Sequence, residues 1–250
     1  IAGRTLDYLS GIFGASPFAD GTYAGLFNSM KEGAVDISIT LPAVTKVSQV
    51  TSINRFASAY TEGPVISFGG IHPECENYKE ILKEIKSLGL KGIKLHPDYQ
   101  DMYFDDIRYE RIIDTASELG LITVVHAGVD PKCPEDVHCT PEMARKVLDD
   151  VRPEKLVLAH MGGNEMWDDV ERYLVGQNVY FDTGVILDTM PQEQFLRIVR
   201  MHGADRILFG TDSPWADQKN FVTLLEQMPL TEEETAVVFS ENAKKLLGIQ

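Results

Sequence analysis

Four apolar runs in this chain each stop at a histidine, in Gly70-Ile71-His72-Pro73, Ile93-Lys94-Leu95-His96-Pro97, Thr123-Val124-Val125-His126 and Val157-Leu158-Ala159-His160. A fifth run, Ile207-Leu208-Phe209-Gly210-Thr211, stops at Asp212. Imidazoles and a carboxylate converging on one point make the donor set of a divalent metal ion, with zinc the first expectation. Polar side chains at the C-terminal ends of parallel strands are where α/β folds carry their chemistry.

The elements that must position these groups can be read from the same pattern. Strands are predicted over residues 35–41, 65–71, 92–96, 122–126, 155–160, 178–182 and 206–212. Their ends lie about 22 to 34 residues apart, enough for one strand, one helix and two loops. Amphipathic helices are predicted from Tyr78 to Leu88, stopped by Gly89, and from starts near Thr22, Ser48, Asp106, Thr140, Glu165, Pro191 and Gln218, with a last one from Thr231 to Leu247. Thr140-Pro141 reads as an N-cap followed by a first-turn proline.

A (β/α)8 TIM barrel follows, in one domain spanning residues 1–250. Only seven strands are visible, because Leu6, Leu9, Ile12 and Phe13 mark the opening segment as a helix. A strand preceding Ile1, about 10 to 20 residues upstream with its turn, is therefore expected in the natural protein. Alternation along the strands predicts Ile122, Val124 and His126 pointing inward, with Leu156, Leu158 and His160 doing the same on the next strand.

Composition narrows the partners. The 250 residues carry 38 acidic and 23 basic side chains, a formal charge of -15 that repels nucleic acid and anionic lipid. A small-molecule substrate is expected, with no nucleic acid and no membrane; self-association is left open. Cys75, Cys133 and Cys139 are too few and scattered for a disulfide framework, which favours a reducing compartment, the cytoplasm. No apolar run reaches the ~18 residues of a membrane span.

His126-Ala127-Gly128, Ala159-His160-Met161-Gly162-Gly163, Phe209 to Trp215 and Glu241 to Leu247 together resemble the amidohydrolase-2 branch of the amidohydrolase superfamily, essentially end to end. That branch has a distorted (β/α)8 barrel and includes metal-dependent hydrolases and nonoxidative decarboxylases. The resemblance implies a metal ligand at His126, a proton carrier beside or on the metal at His160, and at Asp212 the carboxylate that holds the metal or its water. The family's His-x-His pair on strand one has no counterpart in these residues, and is expected on the strand before Ile1.

Further residues are weighed around this centre. Lys94 shares strand parity with His96 and is read as an ammonium for a substrate carboxylate; His96, His138 and Trp215 are read as further substrate contacts. Cys133, His138 and Cys139 lack the spacing of a structural zinc site. His72 reads as a loop-fixing residue, and His202 as solvent-exposed or capping. Hydrolysis of an amide, lactone or related bond by metal-activated water is the first expectation, with Asp212 and His160 moving protons; nonoxidative decarboxylation is the alternative. A TatD-type nuclease, suggested by Gly70-Ile71-His72-Pro73 and Thr211 to Pro214, and a non-catalytic binding barrel rank below both.

Overall fold

The computed structural model describes residues 2–249. Its strands are β1 (Ser38–Thr40), β2 (Val65–Ser67), β3 (Gly69–Gly70), β4 (Gly92–Leu95), β5 (Ile122–Val125), β6 (Leu156–Leu158), β7 (Tyr180–Asp182) and β8 (Ile207–Leu208). All pair in parallel, β1 with β2 and then β3 through β8 in chain order. β2 and β3 are two pieces of one predicted strand. At their junction Phe68 donates its N–H to Thr40, and the Asn54 amide clamps both polar groups of Gly70. Seven strand positions in sequential order form the wall of a (β/α)8 barrel, with β1 and β8 as its edges among the described residues.

The helices are α1 (Ala2–Phe13), α2 (Tyr23–Glu32), α3 (Val50–Ala57), α4 (Tyr78–Ser87), α5 (Pro97–Gln100), α6 (Ile107–Glu118), α7 (Pro141–Val151), α8 (Trp167–Tyr173), α9 (Gln192–His202), α10 (Gln218–Glu226), α11 (Glu232–Ala236) and α12 (Asn242–Leu247). Their starts are capped as the sequence suggests: Thr22, Asp106 and Thr140 each accept a first-turn backbone N–H. Gly89, at φ 79°, turns the chain out of α4. The predicted final helix is not continuous. A π-helical turn, Val237–Glu241, separates α11 from α12, and the Val238 carbonyl there accepts from Phe209 beyond β8. That bond ties the C-terminal helices to the strand end that carries Asp212.

Two apolar clusters divide the strand residues. Ile93, Leu95, Val125, Leu156 and Leu158 pack outward with the helices, while Phe68, Ile122, Val124, Val157 and Leu208 fill the barrel interior. Lys94, Val124 and Val157 stand in register across three adjacent strands. His126 therefore projects inward, as expected. The expectation for β6 is reversed: Val157 is the inward residue, and Leu156 and Leu158 face the helices. Simple alternation would then send His160 outward. A left-handed residue prevents it, since His160 itself has φ 59° and opens a tight turn that swings its ring back over the barrel.

His202 also departs from expectation. It is 5% exposed, its ring stacked on Phe181 at 4.2 Å. Nε2 donates to the Val179 carbonyl at 2.8 Å and Nδ1 accepts from Gly176 N–H at 3.1 Å. Placed at the end of α9, it bonds the loop entering β7 instead of water. His72 does fix its loop, with Nδ1 accepting from the Glu74 N–H.

Candidate functional site

Three rings lie in a column at the C-terminal mouth. Tyr99 stacks on His96 at 3.7 Å and 9°, and His96 stacks on His126 at 4.2 Å and 6°. His160 meets His126 edge-on, 66° from coplanar. The column is built by chain geometry: β4 and β5 end side by side, and the one-turn helix α5, opened by Pro97, folds Tyr99 back over His96. Gln100 closes the same turn. Its carbonyl oxygen accepts from His96 N–H and the Tyr109 hydroxyl, and its amide donates to Val44 and Ile71.

Hydrogen bonds fix where the ring protons sit. The Gly184 carbonyl lies 2.9 Å from His160 Nδ1 and can only accept, so that nitrogen carries the proton. His160 Nε2 then accepts from His126 Nδ1 at 3.0 Å. His126 Nε2 is then also bare. It is buried without a hydrogen-bond partner, as is Asp98 Oδ2, 3.7 Å away. Asp130 Oδ2 stands 3.8 Å from His126 Nε2 and 3.7 Å from His96 Nε2.

Those separations are too long for hydrogen bonds. Bonds of about 2.0–2.2 Å to a common ion place neighbouring donor atoms roughly 3–3.8 Å apart, so the spacing suits His96, His126 and Asp130 around a cation, with Asp98 a further carboxylate beside His126. One donor atom each from His96, His126 and Asp130 fall within 4.8 Å of one another. An unprotonated imidazole aimed at buried carboxylate oxygens has no proton to share with them, and a cation satisfies all three groups.

Burial pushes the His126 and His96 pKa values well below the usual histidine range, aided by the charge of Lys94 and by each ring's histidine neighbours. Both imidazoles are thus held neutral, the form that ligates metal. Burial also raises Asp130 to about 6, with the Asp98 charge acting in the same direction. Lys94, buried inside the barrel, is lowered by desolvation, which the charges of Asp182 and Asp212 partly offset.

The other sequence-predicted residues are distributed around this centre. His138 binds Asp98 twice, its backbone N–H and Nδ1 each 3.2 Å from Oδ1, and its ring stacks on Tyr103. It thereby anchors the β5 to α7 loop beside the site. Asp212 is exposed at the rim, with its Cβ and His160 Nδ1 each 3.3 Å from the point where a side chain on Gly184 would begin. Trp215 is half-buried and packs edge-on against Phe13 of α1 at 4.5 Å. Asp98 and Asp130 were not singled out in the sequence. Their signals are short-range: Asp98 follows His96-Pro97 into a first helical turn, and Asp130 lies four residues after His126. Cys75, Cys133 and Cys139 are all free.

A family model described as Amidohydrolase matches residues 41–249. The chain belongs to that family. Solved structures repeat its fold at low identity. An uncharacterized TIM-barrel protein from Bordetella bronchiseptica is 20% identical, with a TM-score of 0.76 over 99% of this chain and 93% of its own. A 2,6-dihydroxybenzoate decarboxylase from Rhizobium is 16% identical, with a TM-score of 0.73 over 91% and 88%. A dihydroxybenzoic acid decarboxylase from Polaromonas, solved with bound manganese and the inhibitor 2-nitroresorcinol, is 18% identical, with a TM-score of 0.71 over 91% and 86%. Among curated proteins, none matches the sequence significantly. No helix among the described residues is long and apolar enough to cross a membrane.

Proposed function

We propose that this amidohydrolase-family protein is a metal-dependent, nonoxidative decarboxylase of a small carboxylic acid, with hydroxylated benzoates as the first substrate class to try. The observation that carries the reading is the hydrogen-bond arrangement around His126: a bare Nε2 facing two buried carboxylates, and on its other side a hydrogen bond to His160. The relatives solved with dihydroxybenzoate-type ligands support decarboxylation over the hydrolysis first expected.

His126, His96 and Asp130 would hold the ion, and Asp98 beside His126 and Asp212 at the rim are further carboxylates for it or for a bound water. Nitrogen and carboxylate donors without a thiolate suit manganese as well as zinc, and the manganese in related structures favours the former. Such an ion supplies positive charge for the electron density released as the carbon–carbon bond breaks. Lys94 binds an anionic oxygen of the substrate inside the barrel. His160, whose Nε2 shares a hydrogen bond with His126 Nδ1, is the residue proposed to move the proton that replaces CO2 on the substrate carbon, so that RCO2⁻ and H⁺ become RH and CO2. Asp212 moves protons at the rim. His138 holds Asp98 in place, and Trp215 lines the outer approach. The compartment in this reading is the cytoplasm.

The test is an assay of manganese- or zinc-loaded protein for CO2 release from a panel of hydroxybenzoates and other small carboxylic acids, beside a panel of amides and lactones. Turnover of a carboxylic acid with stoichiometric CO2 is expected. Hydrolysis of an amide or lactone, with no CO2 from any acid, would overturn the proposal.

A further inference from the structure

Asp182 is the last residue of β7, opposite Leu208 in the ladder with β8. Its Oδ1 accepts two backbone hydrogen bonds, from His160 N–H at 3.0 Å and Gly184 N–H at 2.9 Å. Gly184 returns the link through its carbonyl, which accepts from His160 Nδ1 at 2.9 Å. The three bonds close a ring: one carboxylate oxygen grips both the main chain of the histidine and the residue whose carbonyl selects its tautomer.

We propose that Asp182 is a positioning residue for His160, holding the imidazole in the Nδ1–H form with Nε2 bare toward His126. The proposal rests on the reading of His160 as the proton carrier. His160 sits at φ 59°, a conformation that a side chain larger than glycine keeps only when its surroundings over-determine it. Asp182 fixes its N–H, and the Trp167 indole N–H donates to its carbonyl at 3.2 Å, so both main-chain polar groups are tied. The ring of bonds also packs tightly around Gly184. A Cβ there would stand 3.1 Å from Asp182 Oδ1 and 3.3 Å from His160 Nδ1. An acid that only ended a strand would need neither the second bond nor this tight closure.

The experiment reads imidazole nitrogen shifts in folded, 15N-histidine-labelled protein, with the His160 resonances assigned by their loss in His160→Gln. The native protein should show a protonated Nδ1 and a bare Nε2 at His160. Asp182→Asn keeps an oxygen that accepts both N–H groups and should preserve this signature. Asp182→Ala should mix the two tautomers and, in the active enzyme, lower kcat by about 10- to 100-fold with KM little changed, the scale typical of residues that orient a histidine. An unaltered His160 signature in folded Asp182→Ala overturns the proposal. Should that variant not fold, Asp182→Leu decides, because it fills a similar volume with no oxygen to accept either N–H, and an unchanged signature there is equally fatal. If the tautomer responds as expected but the native protein decarboxylates nothing, the positioning role stands and the proposed function fails.

Discussion

Asp98→Asn should change the stability of this protein in opposite directions with and without a cation. Asp98 is 1% exposed, its Oδ1 satisfied by His138 and its Oδ2 unpartnered, facing the unpartnered Nε2 of His126 across 3.7 Å. Each buried polar atom left without a hydrogen bond costs about 1–3 kcal/mol, so the two together cost roughly 2–6 kcal/mol in the absence of a cation. Asparagine keeps Oδ1 for His138 and puts an NH2 donor where Oδ2 was, within a small rotation of the bare His126 nitrogen. Both orphans are then satisfied. At about 2–4 °C per kcal/mol for a chain of this size, the variant in chelator should melt at least about 4 °C above the native protein. With metal the order reverses or closes. A cation at 100 times its Kd stabilises the native protein by about 2.7 kcal/mol, whereas the variant has lost a charged ligand and gains less. Differential scanning fluorimetry of both proteins in EDTA and over a Mn²⁺ and Zn²⁺ titration measures all four states. A native Tm indifferent to chelator and metal, or an Asp98→Asn protein less stable than native in EDTA, refutes the cation site.

Three further outcomes are expected. His126→Ala should lose bound metal by elemental analysis, and Asp212→Ala should lower its occupancy; unchanged stoichiometry in either removes that residue from the ligand set. His160→Asn should keep most of the metal yet lose on the order of 10²- to 10⁴-fold in turnover, and parallel loss of metal and activity would make it a ligand instead. Burial holds the His202 pKa below the usual value, and both its nitrogens are engaged in the neutral form. Between that lowered pKa and about 6.5 the unfolded chain binds the extra proton, so native stability should fall as pH drops through this window and level off above it. Urea midpoints for native and His202→Gln protein between pH 5 and 8 should show the shallower acid loss in the variant, and equal slopes would exclude the histidine as a source.

The barrel was legible because its signals are local and repeated. Five apolar runs stop at a histidine or at Asp212, and Thr22, Asp106 and Thr140 announce helices that begin where they stand. What escaped was the consequence of single backbone conformations. His160 is brought to the site by a positive φ, which alternation cannot reveal, and the inward face of β6 was assigned one residue out of phase as a result. His202 carries the sequence marks of an exposed helix end, yet the return of the chain into β7 covers it. Asp98 and Asp130 are ordinary loop acids by composition. Only the folding of α5 against the end of β5 makes them neighbours of His126.

The charge distribution bears on the proposed function from another side. A chain with a net charge of -15 is a poor long-range attractor for an anionic substrate, but at physiological salt fields are screened within about 8 Å, so the local balance decides binding. Inside the mouth that balance divides in two. Asp98 and Asp130 both face the bare Nε2 of His126, an arrangement that calls for a cation. Lys94 forms no ion pair among the described residues, and the charges of Asp182 and Asp212 offset its desolvation only in part. Lys132 lies 5.1 Å from the centre of the Tyr99 ring that caps the histidine column. A dication beside the carboxylates and a substrate carboxylate near the lysines would neutralise both halves, and neither alone would. A neutral amide or lactone leaves Lys94 only partly compensated in the barrel. A carboxylic acid does not, and this is why the buried lysine weighs toward decarboxylation.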